Sequence, residues 1–346
     1  MSKSTPTARD WRRLFDAAIE FKKLAPWEWM TDEDIFGVEN PKTGEIGYCC
    51  VMGALGEHLA LGVYLGTRGL AGYFFIRENA GKFSNDELMH VQHCLMVSYE
   101  DRDFLSLRER ELIKKLGYRF RGRQAWPKFQ RFDPGFFPWH LNCKEDVQFL
   151  AVALEQSLDV CQRIWREPDL VVSRAPDYFL IRRARKSGNR IIWEDTWAAP
   201  EPIEEPEPEF DESHHMRVVK IKQENRDRFG FIEYDYFYAP MPVQENPSVR
   251  PYYPVVHMFV DNDSGLIVHS QIERSRPDHA DIVNIFLDWL EEEEKLPQMI
   301  LVQKSTLYEV LEPILQPLGV QLILTQYLSM MLEARNHMFE YWRKNF

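Results

Sequence analysis

The order of apolar and polar residues divides the first half of the chain into a mixture of helices and strands. Arg9–Leu24 carries apolar side chains at helical spacing, which predicts an amphipathic helix. Apolar runs beside glycines predict strands at 46–52 and 58–66, and a helix that begins near Thr67. The other predicted elements are strands at 94–99, 128–132, 178–184 and 190–195, and helices at 104–116 and 144–165. Strands and helices are intermixed, so we predict an α+β domain.

The second half has a different order, in which three consecutive strands precede an alternation of helix and strand. The predicted strands are 229–239, 253–261, 266–273, 298–303 and 320–325, and the predicted helices are 278–294, 307–318 and 328–344. The polar run Asp261–Gly265 predicts the turn of a hairpin. Symmetrical extension from that turn places His257 opposite His269, a pair that either binds a metal or is structural. This half predicts an α/β domain.

A segment rich in glutamate and proline separates the two halves. Ala198–Ser213 reads AAPEPIEEPEPEFDES, a composition that buries little apolar surface and favours a stiff, extended linker. At 346 residues and 45% hydrophobic content, the chain is long enough for two cores. We therefore predict an α+β domain at 1–197, the linker at 198–213 and a second domain at 214–346.

The charge distribution limits the classes of partner. The net charge is −12, but residues 1–195 hold 29 basic and 28 acidic side chains, and residues 196–216 hold 7 acidic and no basic ones. A surface that binds nucleic acid must therefore be local. No apolar stretch approaches the roughly 18 residues of a membrane span, and the five cysteines follow no disulfide or zinc pattern. We expect a cytoplasmic protein without a membrane partner.

Two stretches of the first half resemble the start of a bacterial two-domain family of unknown function. They are APWEWM at 25–30 and GYCCVMGALGEHLALGVYLGTRGL at 47–70, and the likeness spans most of the chain, linker included. This resemblance supports the two-domain division and implies no chemistry.

The second half resembles the integrase and transposase cores of the RNase H-like superfamily. The segments that carry the likeness are FIEYDYFYAP, VVHMFVDNDSGLIVHSQI, LPQMILVQKSTLYEVLEPIL and the late helix around Glu333. The resemblance implies an RNase H-like topology and a triad of acidic residues that holds two Mg²⁺ ions. Asp235 fits the first place of the triad and Glu333 the last. Gln303–Ser305 stands where the second aspartate belongs, and its Lys304 would repel the metal pair.

The incomplete triad leads us to predict a degenerate domain in a non-catalytic binding or regulatory protein that needs no cofactor. The alternative is a metal-dependent nuclease in which Asp235 and Glu333 are catalytic and Mg²⁺ is the cofactor. In that alternative, Asp261 or Glu309 replaces the missing acid.

The best candidate for a partner-binding site is a basic segment at 114–132. Its cations are Lys114, Lys115, Arg119, Arg121, Arg123, Lys128 and Arg131. They are interleaved with the aromatic residues Tyr118, Phe120, Trp126, Phe129 and Phe132. Cations for phosphates and rings for bases predict binding of single-stranded nucleic acid or another anionic partner. The alternative is a half-buried strand whose arginines face water or pair with acids.

Other clusters carry weaker signals. A second basic cluster lies at 182–190, and we predict that the linker glutamates Glu201–Glu209 lie against the basic clusters. Glu87, His90 and His93 have metal-ligand spacing if their segment is helical, but a buried strand fits it equally well. Cys49 and Cys50 lie in an apolar strand, which favours inert core thiols.

Overall fold

The computed structural model describes residues 4–79, 90–173, 175–188, 190–203 and 210–345. The chain forms two compact units, one of Met1–Pro134 with Pro138–Glu204 and one of Gly135–Phe137 with Glu205–Phe346. Both combine helices with a sheet, so this is a two-domain protein of mixed α and β structure. Within the described ranges, none of the helices has the length and apolar content needed to cross a membrane.

The first domain is built on one eight-stranded sheet. Its strands are β1 (Phe36–Glu39), β2 (Ile46–Met52), β3 (Ala60–Leu65), β4 (Cys94–Glu100), β5 (Trp126–Phe132), β6 (Trp139–His140), β7 (Phe179–Ser187) and β8 (Arg190–Ala198). They are ordered β6-β5-β4-β3-β2-β1-β7-β8. Neighbouring strands are antiparallel except β1 and β7, which are parallel.

Four helices in the described parts of this domain cover the two faces of the sheet. They are α1 (Ala8–Leu24), α2 (Gly66–Asn79), α3 (Leu107–Leu116) and α4 (Lys144–Arg166). Helices α1 and α4 pack on one face and α2 on the other. Because side chains alternate along a strand, Cys49 and Cys50 point to opposite faces, and both are buried. Helix α2 lies so close to neighbouring backbone that a Cβ on Gly72 would be 2.3 Å from the Val91 carbonyl oxygen.

The second domain contains a five-stranded mixed sheet. Its strands are β9 (Arg228–Tyr238), β10 (Val255–Asp261), β11 (Ile267–Glu273), β12 (Leu296–Val302) and β13 (Gln321–Leu324), ordered β11-β10-β9-β12-β13. Strand β10 runs antiparallel to both β9 and β11. Strand β12 runs parallel to both β9 and β13. The earliest strand of the domain, β9, is therefore the centre of the sheet.

Helices cover both faces of the second sheet. They are α5 (Glu212–Gln223), α6 (His279–Glu292), α7 (Ser305–Leu318) and α8 (Ser329–Asn345). Helices α5, α6 and α7 share a core with the face of β9 that carries Tyr234 and Tyr236. Helix α8 packs on the opposite face. Period-two alternation along β9 thus sends Glu233 and Asp235 to the α8 side.

Most predicted helices and strands are confirmed within a few residues. Strands β1 and β6 and helix α5 were not predicted from the sequence. Strands β1 and β6 have only 4 and 2 residues, too few for alternation to be recognised. Helix α5 directly follows the polar linker, and its N-cap is Asp211, whose side chain accepts a hydrogen bond from His214 N at 2.9 Å.

Candidate functional site

The first candidate site surrounds Asp235 on the central strand β9. Its side chain is only 10% exposed. A carboxylate at this depth requires a counter-charge or hydrogen-bond donors. Lys304 supplies both, because its ammonium group forms an ion pair with Asp235 Oδ1. The acid that the sequence assigned to the first metal-binding place is therefore paired with a lysine.

The sheet register brings Lys304 to this position. Strand β12 runs parallel to β9 with Leu301 beside Glu233, so the residues that follow β12 reach the level of Asp235 and Tyr236. The Lys304 Nζ also donates to the Tyr236 carbonyl oxygen at 2.8 Å and lies 4.6 Å from the centre of the Tyr236 ring. Three favourable contacts hold this ammonium, so it is a fixed part of the site.

Glu233 is a second buried carboxylate on the same face, and it was not among the residues predicted from the sequence. The residue is 2% exposed, and its Oε2 accepts a hydrogen bond from the Met331 backbone nitrogen at 2.6 Å. Met331 lies in the first turn of α8, where unpaired amides and the helix dipole favour a negative charge. The sequence did contain a signal for Glu233: it lies two residues before Asp235 in a predicted strand, so the two side chains share a face.

The other acids of the nuclease alternative lie apart from this pair. Helix α8 turns Met331 and Ala334 toward the sheet, whereas Glu333 is exposed. Glu309 is also exposed, on α7. The Asp261 Oδ1 accepts hydrogen bonds from the backbone and hydroxyl of Ser264, which makes it part of the hairpin turn. Among the described residues, no group of three or more His, Cys, Asp or Glu is arranged to hold a metal ion.

The predicted pairing of His257 with His269 is wrong. The hairpin pairs Phe259 with His269 and His257 with Gln271. The turn already pairs Val260 with Ile267 instead of Leu266, and the irregularity between Phe259 and Val260 shifts the register by one more residue. His257 is fully buried, and its Nδ1 lies 2.8 Å from the Tyr234 hydroxyl. Burial, followed by the charge of Lys304, lowers its pKa to about 4. His257 is therefore neutral at pH 7.

The second candidate site is the basic segment of the first domain, whose aromatic residues face inward. Tyr118 stacks on Phe15 with centroids 5.0 Å apart, and its hydroxyl donates to Asp16 Oδ1 at 2.6 Å. Phe120 stacks on Tyr118 at 6.1 Å, and Phe129 is buried against the edge of Phe15. Because these rings pack in the core, the structure does not support the prediction that they stack on nucleic-acid bases.

The cations of the basic segment fall into two groups. Arg131 is half-buried and forms ion pairs of 2.8 Å with Asp133 and Asp146. Lys128 is half-buried on β5. The remaining cations are exposed and have no ion pair within the described parts of the chain; we call Lys114, Lys115, Arg119, Arg121 and Arg123 the exposed cations. Because Arg119 and Arg121 alternate with the inward-facing Tyr118 and Phe120, their side chains point toward solvent.

The second basic cluster pairs mostly within its own sheet. Arg182 contacts Asp195 at 2.7 Å, Arg183 contacts Glu39 at 3.2 Å and Arg185 contacts Glu194 at 2.7 Å. Partners for these arginines therefore come from neighbouring strands. The predicted contact with the linker remains a prediction, because linker residues 204–209 lie outside the described residues.

The weaker candidates also have defined positions. His93 Nδ1 lies 2.9 Å from Asp133 Oδ1, and the segment from His90 to His93 is neither helix nor strand. Glu87 lies outside the described residues. All five cysteines are free and buried. Burial raises the pKa of the Cys49 thiol to about 12 and raises that of Cys50 further, which favours the inert thiol form.

Comparisons with known proteins match two separate parts of the chain. Residues 11–182 match a family described as "Domain of unknown function (DUF7309)", and residues 216–339 match another described as "Domain of unknown function (DUF6930)". No curated protein matches the chain. The two matches cover separate parts of the chain, and neither description names an activity.

Proposed function

We propose that this is a non-catalytic binding protein whose second domain has an RNase H-like framework without a working two-metal site. The strand order β11-β10-β9-β12-β13 supports the framework, because the first three strands are antiparallel and the next two run parallel to β9. The observation that carries the loss of catalysis is the ion pair between Lys304 and Asp235.

The physical reason is electrostatic. In two-metal hydrolysis, clustered carboxylates bind the cations that stabilise the attacking and leaving oxygens. An ammonium group on Asp235 neutralises that carboxylate and repels a divalent cation at the same place. Glu233 does not replace Asp235 as a metal ligand, because its carboxylate already accepts a hydrogen bond from the first turn of α8. This domain therefore serves as a scaffold in the proposed function.

Incubation with labelled single-stranded and double-stranded DNA and RNA tests the proposal. With Mg²⁺ or Mn²⁺ present, we expect no cleavage above that of an Asp235→Asn variant prepared in parallel. Cleavage by the wild-type protein that disappears in Asp235→Asn would overturn the proposal and favour the nuclease. The variant Glu333→Gln then shows whether that acid takes part.

For the binding activity, we propose the exposed cations as a sequence-independent contact for a nucleic-acid phosphate backbone. Lys114 and Lys115 also lie in the last turn of α3, where a positive charge stabilises the helix end. That explanation does not extend to Arg119, Arg121 and Arg123, which follow the helix and are exposed. Because the neighbouring rings are in the core, the contact is with phosphates rather than bases.

Fluorescence anisotropy with labelled 20-nucleotide single strands and the matching duplex tests this contact across a salt series. We expect similar affinity for both, and a salt slope that falls by roughly one for each phosphate contact removed. Arg119→Ser/Arg121→Ser should weaken binding, whereas Arg13→Ser/Arg185→Ser should not. The second pair removes the same charge from arginines already paired with Glu155 and Glu194. Equal effects of the two double variants would contradict the site.

A further inference from the structure

The first domain contains a groove of about 610 Å³ on the α2 face of its sheet. The groove lies beside the start of α2, between the turn that joins β1 to β2, strand β7 and the segment that follows β8. Its polar lining includes Glu45, Tyr48, Thr67, Arg183 and Glu201. None of the exposed cations lines it, so the groove is separate from the proposed nucleic-acid contact.

Tyr48 brings an unpaired polar group to this groove. The residue is only 3% exposed, and its hydroxyl makes no hydrogen bond within the described ranges. Burial raises the pKa of Tyr48, Arg183 opposes the rise and Glu201 adds to it, so the hydroxyl lies near two charged groups that both line the groove. The oxygen is also not one of the unpaired side-chain atoms that are closed off from solvent. It therefore faces the groove, where a ligand can supply the missing hydrogen bond.

Arg183 and the start of α2 provide further donors. Arg183 donates through Nη1 to Glu39 Oε1 at 3.2 Å, and Glu39 Oε2 accepts from the Ala184 backbone nitrogen at 2.7 Å. A guanidinium has five N–H groups, so most of those of Arg183 remain for a ligand. Helix α2 begins at Gly66, and the amides of a first helical turn have no partner within the helix. The groove thus offers several donors to a carboxylate.

Two carboxylates give the groove acceptors as well. Glu45 and Glu201 are exposed, and neither side chain has an ion pair or a hydrogen bond within the part of the chain that the structure describes. The Thr67 hydroxyl donates to the Glu201 backbone oxygen at 2.7 Å, which holds Glu201 at the start of α2. Glu45 Oε1 lies at the same helix start, 3.4 Å from the position that a Cβ on Gly66 would take. Both acids therefore adjoin the first two residues of α2.

The balance of charge in the groove favours a zwitterion. Because Glu39 already neutralises Arg183, a ligand with only a negative charge would be repelled by Glu45 and Glu201. A ligand with only a positive charge would leave the Tyr48 hydroxyl and the spare Arg183 donors without an acceptor. A ligand that carries both a carboxylate and an ammonium group satisfies both sets of side chains.

Aliphatic side chains lie beside these polar groups. Ile46, Ile181 and Ala198 also line the groove. Ile181 is buried, and Ile46 and Ala198 are half-buried against the same core. An aliphatic group of a ligand would lose contact with water on this surface, which favours its binding.

We propose that this groove binds a free α-amino acid with an aliphatic side chain. The ligand carboxylate accepts hydrogen bonds from Arg183 and the Tyr48 hydroxyl, and the ligand ammonium group contacts Glu45 and Glu201. The proposal is independent of the nucleic-acid contact and of the second domain, because every lining residue belongs to the first domain and none is an exposed cation.

Calorimetric titration of the full-length protein at pH 7 with leucine, 4-methylpentanoate and 3-methylbutylamine tests the ligand class. We expect leucine to bind with a Kd at or below about 1 mM. The second compound lacks the ammonium group and the third lacks the carboxylate, so each should bind about tenfold more weakly. No binding of leucine, or equal affinity for leucine and either analogue, would overturn the proposal.

Variants locate the binding. Tyr48→Phe removes only the hydroxyl and should weaken leucine binding about tenfold. Tyr64→Phe is the matched control and should leave the affinity unchanged, because Tyr64 is a buried tyrosine opposite Tyr48 on β3 that does not line the groove.

A substitution at an exposed position keeps the test decisive if Tyr48→Phe fails to fold. Glu45→Gln should weaken leucine about tenfold without weakening 4-methylpentanoate, because only leucine carries an ammonium group. Glu57→Gln, exposed and outside the groove, should change neither affinity. Unchanged leucine affinity in folded Tyr48→Phe or in Glu45→Gln would overturn the proposal, as would an equal loss in the control variants.

Discussion

The two domains place their charged side chains differently with respect to solvent. In the second domain, Asp235 and Glu233 are buried on the face of a central strand, and each has a specific partner. In the first domain, the exposed cations lie at the end of α3 and in the segment after it, without ion pairs among the described residues. In both domains the sequence places charged residues near aromatic ones. Those charged residues are buried in the second domain and exposed to solvent in the first.

This difference separates charges that stabilise the fold from charges that are free to bind a partner. A buried charge is tolerated when a counter-charge or hydrogen bonds compensate for its desolvation, and removal of the partner is strongly destabilising. An exposed cation contributes little to stability and remains free to bind an anion. The comparison therefore predicts large stability effects in the second domain and small ones at the exposed cations.

The largest effect is expected for Lys304→Met. This change leaves the buried Asp235 carboxylate without its counter-charge, which should lower the free energy of unfolding by about 3 kcal/mol. Urea-induced unfolding measures it, and Lys295→Met provides the exposed control, expected within about 0.5 kcal/mol of wild type. The double variant Asp235→Leu/Lys304→Met should recover much of the loss. A loss of less than about 1 kcal/mol for Lys304→Met would show that the pair is not structural.

The next effect is a pH dependence that originates at His257. Its pKa is lowered from 6.5 to about 4, so protonation favours the unfolded chain. The associated stability is fully present above the unfolded pKa and is lost as the pH falls toward 4, up to about 3 kcal/mol. Urea unfolding at pH 7, 5.5 and 4.5 should show a steeper decline for wild type than for His257→Gln. Parallel curves for the two proteins would contradict this assignment.

A smaller effect is expected for Glu233→Gln. The amide oxygen still accepts from Met331, but the negative charge at the start of α8 is lost, which should cost about 1 kcal/mol. Glu333→Gln on the exposed side of the same helix is the matched control, with no measurable change expected. Thermal unfolding compares the two variants, and equal melting temperatures would show that Glu233 does not stabilise α8.

The smallest effect is expected at the exposed cations. Arg119→Ser/Arg121→Ser should change the free energy of unfolding by less than about 0.5 kcal/mol while weakening polyanion binding. Chemical denaturation checks the first quantity independently of any ligand. A clear destabilisation would mean that these arginines stabilise the fold. The charged residues of both domains would then have a structural role.

Local pattern was sufficient for the elements but not for the site. Helices α1 and α4 and strands β2, β3 and β4 have long apolar periodicity, so the sequence predicted them almost to the residue. The predicted hairpin register was wrong because the turn and an irregularity between Phe259 and Val260 each shift the pairing by one residue, and alternation reveals neither. Glu233 was missed because its partner, Met331, is 98 residues away.

The sequence by itself determined the two-domain division and the order of most helices and strands. These features follow from local periodicity, composition and motif spacing, which need no knowledge of distant contacts. Only the tertiary structure decided that Lys304 bonds to Asp235 and that Tyr118 and Phe120 face the core. Each of these depends on strands and helices far apart in the chain, whose pairing sets which side chains are buried together.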